Sequence, residues 1–215
     1  MNFSRTILFL LLTIPVSTRA QNDSLTIILG QNDNFLSIDK SKIKIQGHKY
    51  SSDYYNFDID VPSEFTNIVN KGLPNGCIFS NTTTHADFGF WVSHYATMRY
   101  SKKYCFTMTK KPEIFKRYYR EYIFKNGVLA DSKFLSDTIR IIKISGIPAI
   151  QYTCTFIKEK NSVEFIGQMV LIQLFYKSFN YRFVSVVENE PKYIDAVSFF
   201  NKKLLESFRL LKTNE

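Results

Sequence analysis

Fourteen residues, Val163 to Tyr176, constrain the fold of this chain more than any other stretch. Read as a strand they are apolar on both pleat faces, with Phe165, Met169, Leu171 and Phe175 on one and Ile166, Val170, Ile172 and Leu174 on the other. Such a strand has to be covered from above and below, because either face left to water would expose a row of large side chains. The run is therefore the centre of a layered domain. It lies within a longer block, Ile139 to Glu188, of three runs rich in β-branched and aromatic residues. Two turn signals divide them, Ser145-Gly146-Ile147-Pro148 and Lys158-Glu159-Lys160-Asn161-Ser162, so the strands meander antiparallel.

The flanking segments supply the cover. Phe57, Ile59 and Val61 alternate with Asp58 and Asp60 in a half-buried strand that stops at Pro62. Cys77 to Asn81 and Phe88 to Tyr95 read as two further strands, the second with Phe88, Phe90 and Val92 on one face and Trp91 and Tyr95 on the other. Pro112 and Glu113 open a helix, since proline suits its first position and an acid its positive end. Its apolar stripe is Ile114, Phe115, Tyr118, Tyr119, Tyr122 and Ile123, and Gly127 is placed to cap it. A last helix begins at Glu190 and Pro191, with a stripe of Ile194, Val197, Phe200, Leu204, Leu205, Phe208 and Leu211. The expected fold class is α+β: two helices sandwiching a mainly antiparallel sheet.

Residues 1–20 read as a secretory signal peptide, with Arg5 in the positive region, an apolar stretch from Ile7 to Val16, and small residues at Thr18 and Ala20. Cleavage is expected between Ala20 and Gln21. About ten apolar residues are too few for a transmembrane anchor. The protein is expected to be exported, to the periplasm or the extracellular space. Residues 21–53 form a polar lead-in with one or two edge strands, and 54–215 a single globular domain. Losing Arg5 and Arg19 from the 28 Lys and Arg leaves 26 against 19 acids, a surplus that favours acidic partners in general. Three cysteines allow at most one internal bridge, for which Cys77 and Cys105 are the candidate pair. The plainer reading is three buried thiols, Cys154 included, each in a strand-like run.

Several of these pieces together resemble the PsbP-like family, named for an extrinsic subunit of photosystem II and including exported bacterial proteins. They are Tyr55-Asn56-Phe57-Asp58-Ile59-Asp60-Val61-Pro62, the turn from Ile144 to Ala149, the strand from Tyr181 to Val187, and a closing amphipathic helix ending Glu206-Ser207-Phe208. The resemblance covers about residues 54–211. It implies an α/β/α sandwich around an antiparallel sheet and a non-enzymatic role exercised through protein partners of the envelope. The alternative fold is a cystatin-like helix on a curved sheet, with one sheet face partly open as a pocket.

Catalysis requires a nucleophile or a proton-transfer pair within hydrogen-bond reach. His48, His85 and His94 lie in no recognisable triad setting, and the chain has no nucleophile elbow, phosphate loop or dinucleotide fingerprint. His85, Asp87 and His94 form the best metal cluster, but structural zinc wants four ligands. No cofactor and no metal are expected. A candidate anionic-partner patch comprises Lys102, Lys103, Lys110, Lys111, Lys116, Arg117 and Arg120, interleaved with aromatics. Nucleic acid is disfavoured, because export removes the protein from it and the helix tyrosines belong to the apolar stripe. Asp23-Ser24-Leu25 and Asp137-Thr138-Ile139 resemble an Asp-Ser/Thr-aliphatic O-glycosylation acceptor at Ser24 and Thr138, a short pattern that also recurs by chance. Composition and motifs together favour a non-enzymatic exported interaction or assembly-accessory module that docks on a protein of the bacterial envelope. A carrier of a small hydrophobic ligand is the alternative, in view of 20 Phe and 13 Tyr, and an unrecognised hydrolase is the third.

Overall fold

A computed structural model describes residues 42–63, 67–69, 76–81, 86–94, 107, 109–125, 129–160, 162–177, 179–188, 202–203 and 205–211. The expected signal segment with Ala20 and Gln21, Ser24, His85, Lys102, Lys103, Cys105, the Gly127 cap and most of the last helix lie outside them. Eleven strands and one long helix are described: β1 (Lys44–Gln46), β2 (Lys49–Ser52), β3 (Phe57–Asp60), β4 (Asn67–Val69), β5 (Gly76–Asn81), β6 (Ala86–His94), α1 (Pro112–Lys125), β7 (Lys133–Ile144), β8 (Ile147–Lys160), β9 (Val163–Tyr176), β10 (Phe179–Glu188) and β11 (Arg209–Leu210). They make two antiparallel sheets, one of seven strands in the order β4-β5-β6-β10-β9-β8-β7 and one of four in the order β1-β2-β3-β11. The class is α+β.

The central block folds as its periodicity dictates. Ser145 and Gly146, both at positive φ (49° and 78°), make the two-residue turn that joins β7 to β8 with the twist antiparallel strands prefer. β9 then sits between β8 and β10, and its two faces enter two different cores. Met169, Leu171 and Phe175 join Ile150, Tyr152, Cys154 and Phe156 of β8 and Val184 and Val186 of β10 beneath α1, which buries Phe115, Tyr119 and Ile123. Ile172 and Leu174 join the opposite core with Phe88, Phe90 and Val92 of β6 and Tyr181 and Phe183 of β10.

Among the described residues, the cover over that second core is the four-stranded sheet, which contributes Tyr50, Phe57 and Ile59, together with Phe208 and Leu205 from the C-terminal segment. The lead-in to the domain is part of this layer, since Tyr50 of β2 pairs with Ile59 of β3 and is 1% exposed. A correction concerns the chain end. Helical geometry stops at residue 207, and Arg209 and Leu210 pair with Asp58 and Phe57 instead of continuing to Leu211. The cause is β3, whose outer side would otherwise present unsatisfied backbone groups. Leu211 N–H donates to the Asn56 carbonyl at 3.0 Å, Ser207 Oγ to the Asp60 carbonyl at 2.8 Å and Ser145 Oγ to the Phe208 carbonyl at 2.9 Å. These bonds fix where the C-terminal segment lies across the large sheet.

α1 and the C-terminal segment therefore cover opposite faces of the sheet. The second face is not bare, since the small sheet and the C-terminal segment lie over part of it. The second cover is nonetheless incomplete over β7 and β8.

Candidate functional site

The incomplete region follows from alternation along two strands. On the face opposite α1, cross-strand rows read Ile142–Ala149–Leu174, then Arg140–Gln151–Ile172, then Thr138–Thr153–Val170 across β7, β8 and β9. β9 stays apolar from row to row while β7 and β8 turn polar away from the hairpin. A polar surface cannot recruit an apolar cover, so the small sheet stops short of it. What remains is an open cleft of about 970 Å³, walled on its far side by Lys202, Leu205, Glu206, Phe208 and Arg209.

Its lining is graded. Ile142, Ile144, Val170, Ile172, Leu205 and Phe208 form an apolar inner end continuous with the core. Thr138, Gln151, Thr153 and Gln168 form a polar outer end. Four cations border the cleft, Arg140, Lys143, Lys202 and Arg209, against the single carboxylate of Glu206. Glu206 lies 3.8 Å from Lys202, and Arg140 donates to Gln151 Oε1 at 3.1 Å. Among the described residues, Lys143 and Arg209 have no ion-pair partner. Such a cleft suits a partly apolar occupant with negative charge.

The other polar cluster lies beneath α1. Asp137, only 3% exposed, faces the helix from β7 and accepts from Arg120 Nε at 2.8 Å and Nη2 at 2.6 Å. Tyr152 Oη donates to it at 3.1 Å and Lys116 Nζ lies 3.7 Å away. Burial pushes the Asp137 carboxyl up, but the Arg120 and Tyr152 hydrogen bonds and the Arg120 and Lys116 charges outweigh it and hold the group below its ordinary range. Arg120 also lies 4.7 Å from the centre of the Phe134 ring. Nearby, Tyr119 Oη donates to Gln173 Oε1, and Gln173 Nε2 donates to Asn180 Oδ1 at 3.1 Å, so the buried polar groups satisfy one another. This cluster clamps α1 to the sheet.

The clamp has a pH signature. A carboxyl held low in the folded state adds stability above its unfolded pKa, and that stability is lost as pH falls through the folded value. Asp137→Asn should cost about 1–3 kcal/mol near neutral pH, since it removes a charged acceptor from two donors. The variant should also lose less stability than the parent in urea melts between pH 5 and pH 2. Parallel pH profiles for the two proteins would show that Asp137 is not the group responsible.

The anionic-partner patch is thereby divided. Lys116 and Arg120 turn to Asp137, while Lys110, Lys111 and Arg117 are exposed on the helix side, across the sheet from the cleft. Thr138 is exposed and lines the cleft, but the carboxylate of its neighbour Asp137 is turned to the other face and engaged. Cys77 pairs with Phe90 in the β5–β6 ladder, and its partner Cys105 lies outside the described residues. Cys154 is a free, buried thiol pushed up to about 12 by burial and by the Asp137 charge. Asp87 and His94 stand in β6, and their side chains are outside the description. Among the described residues no three His, Cys, Asp or Glu are placed to hold a metal ion, and no helix is long and apolar enough to cross a membrane. Of the cleft lining, Thr138 alone is among the site residues the sequence suggests. The signal for the cleft was the alternation Thr138-x-Arg140-x-Ile142 beside Gln151-x-Thr153-x-Thr155, polar on the face that β9 leaves apolar.

Fold and cleft define an α+β domain of two antiparallel sheets with an amphipathic, cation-bordered groove on its second face. No protein-family model matches the chain, and no curated protein sequence does. Among solved structures it is similar to a protein of Bacteroides thetaiotaomicron VPI-5482, with a TM-score of 0.45 and 13% identity over 80% of this chain and 51% of that one. The chain thus spans about half the length of that protein. It is also similar to cyanobacterial PsbP from Synechocystis sp. PCC 6803, with a TM-score of 0.39 and 13% identity over 85% of this chain and 98% of that one. A third is LpqN of Mycobacterium tuberculosis, involved in cell envelope biogenesis, with a TM-score of 0.42 and 8% identity over 73% of this chain and 83% of that one. No likeness in sequence ties the chain to the PsbP-like family.

Proposed function

We propose that the protein is a non-enzymatic, exported accessory module of the bacterial envelope that works by binding, with the cleft between β7–β9 and the C-terminal segment as its working surface. The observation that carries the reading is the lining of that cleft. It combines an apolar floor with a cationic border, a lining suited to binding an anionic, partly apolar target. Its nearest hydroxyl to the C-terminal segment, Ser145, is committed to the Phe208 carbonyl. The leading partner is an acidic segment of an envelope protein. The apolar inner end and the size of the cleft favour a second reading, a carrier for a small amphipathic ligand.

A photocrosslinking residue placed at Thr138, and as a control at the exposed Glu113 on α1, tests the surface in living cells. The expected result is an adduct from position 138 and none from 113. Adducts from 113 alone, or none from 138, would move the working surface elsewhere or remove it. Native mass spectrometry of the protein from its own envelope separates the two occupants, since a carrier retains a small molecule and a docking module does not.

A further inference from the structure

We infer that the cleft accommodates a monomeric, single-chain anionic amphiphile, its tail against Ile142, Val170, Ile172, Leu205 and Phe208 and its carboxylate or phosphate head toward Arg140 and Arg209. The inference rests on the second reading above, the cleft as the site of a carrier, and names its ligand. Three features lead to it. The volume, about 970 Å³, is at the upper end of what small-molecule sites use, larger than a buried water cluster or a single side chain needs. The gradient from apolar inner end to polar outer end runs along the strands, so a long molecule can lie lengthwise with its two ends in unlike surroundings. The charge is unbalanced, with four cations to one carboxylate, and Arg140 and Arg209 lack an ion-pair partner among the described residues. A neutral hydrocarbon would leave those cations unanswered, and a cationic amphiphile would be repelled by them.

The attraction is to a molecule and not to a bilayer. The apolar residues lie at the inner end of a cleft, under the wall formed by Leu205 and Phe208, where a flat surface cannot reach them. Binding must therefore extract the tail from water one methylene at a time, and affinity should climb with chain length until the inner end is filled.

The test is calorimetric titration of the full mature chain with laurate, myristate and palmitate below their micellar concentrations, and with hexadecanol as a neutral probe. One molecule should bind per chain, and each two added methylenes should tighten binding roughly tenfold. Palmitate should bind at least tenfold more tightly than hexadecanol. Reversing charge in the exposed Arg140→Glu and Arg209→Glu variants should weaken palmitate by about tenfold and leave hexadecanol and the melting temperature unchanged. Equal affinity for palmitate and hexadecanol would overturn the anionic head while keeping an apolar site. No binding of either probe, with a protein adduct still formed from position 138, would overturn the amphiphile and leave the docking surface standing. No binding and no adduct would remove both.

Discussion

Phe90→Ala should be among the most damaging single substitutions in this protein, at about 3–5 kcal/mol. Phe90 is 0% exposed, and its ring lies 4.8 Å from Phe57, 5.0 Å from Phe183, 5.8 Å from Phe208, 6.0 Å from Tyr50 and 6.5 Å from Tyr181. These partners come from four separate pieces of the chain, β2, β3, β10 and the C-terminal segment, so no single neighbour can swing in to fill the space. Truncation removes the transfer energy of the ring and leaves a cavity in the seam between the two sheets. For a domain of typical stability that is a large fraction of the whole. Urea melts should show the midpoint falling sharply, whereas Ile166→Ala, at a site 44% exposed on the same sheet, should stay within about 0.5–1 kcal/mol of the parent. Equal effects at the two positions would mean that the seam is not the core. The substitution should also reach the cleft, because Phe208 forms part of its wall and packs on Phe90.

Gly167→Ala is the second, and its sign is the informative part. In an ordinary strand position, alanine is favoured over glycine by about 0.5–1 kcal/mol through backbone entropy. Here Gly167 pairs with Phe156 across β8 and β9, and the Phe156 ring lies over it. A Cβ at 167 would stand 2.3 Å from Phe156 Cζ and 2.6 Å from Cε2. Phe156 is 0% exposed within the core under α1, so the ring cannot turn out to solvent without uncovering that core. The expected outcome is destabilisation of about 1–3 kcal/mol. Combined with Phe156→Leu the penalty should shrink well below the sum of the two singles, a coupling of about 1 kcal/mol or more between contacting sites. Stabilisation by Gly167→Ala alone would show that the ring is elsewhere.

Much of this architecture was legible from residue patterns. The two-sided run from Val163 to Tyr176 required two covers, the spacing of Phe115, Tyr119 and Ile123 placed one of them, and Pro112 marked where that helix begins. What patterns could not supply was the part that the lead-in plays in the second cover. Tyr50 sits in a polar stretch whose apolar content is too low to announce a core strand, and it is buried only because β2 pairs with β3. Likewise Phe208 continues a helical stripe perfectly well, and only the unpaired side of β3 draws the following residues into a strand. The cleft was hidden for a related reason. Attention to where strands are apolar finds cores, but a site on a sheet is found where neighbouring strands disagree, as Ile172 and Val170 do with Arg140, Gln151, Thr138 and Thr153. The basic patch on α1 is a different case: its residues are near in sequence, and spacing alone does not announce that Lys116 and Arg120 pair with Asp137.

The account rests on the cleft face being where this protein meets its target. Hydrogen–deuterium exchange of the mature chain, with and without an extract of its own envelope, tests that directly. Added protection should be confined to residues 138–144, 149–155, 168–172 and 205–209. Protection concentrated on α1, or no change anywhere on the molecule, would contradict it.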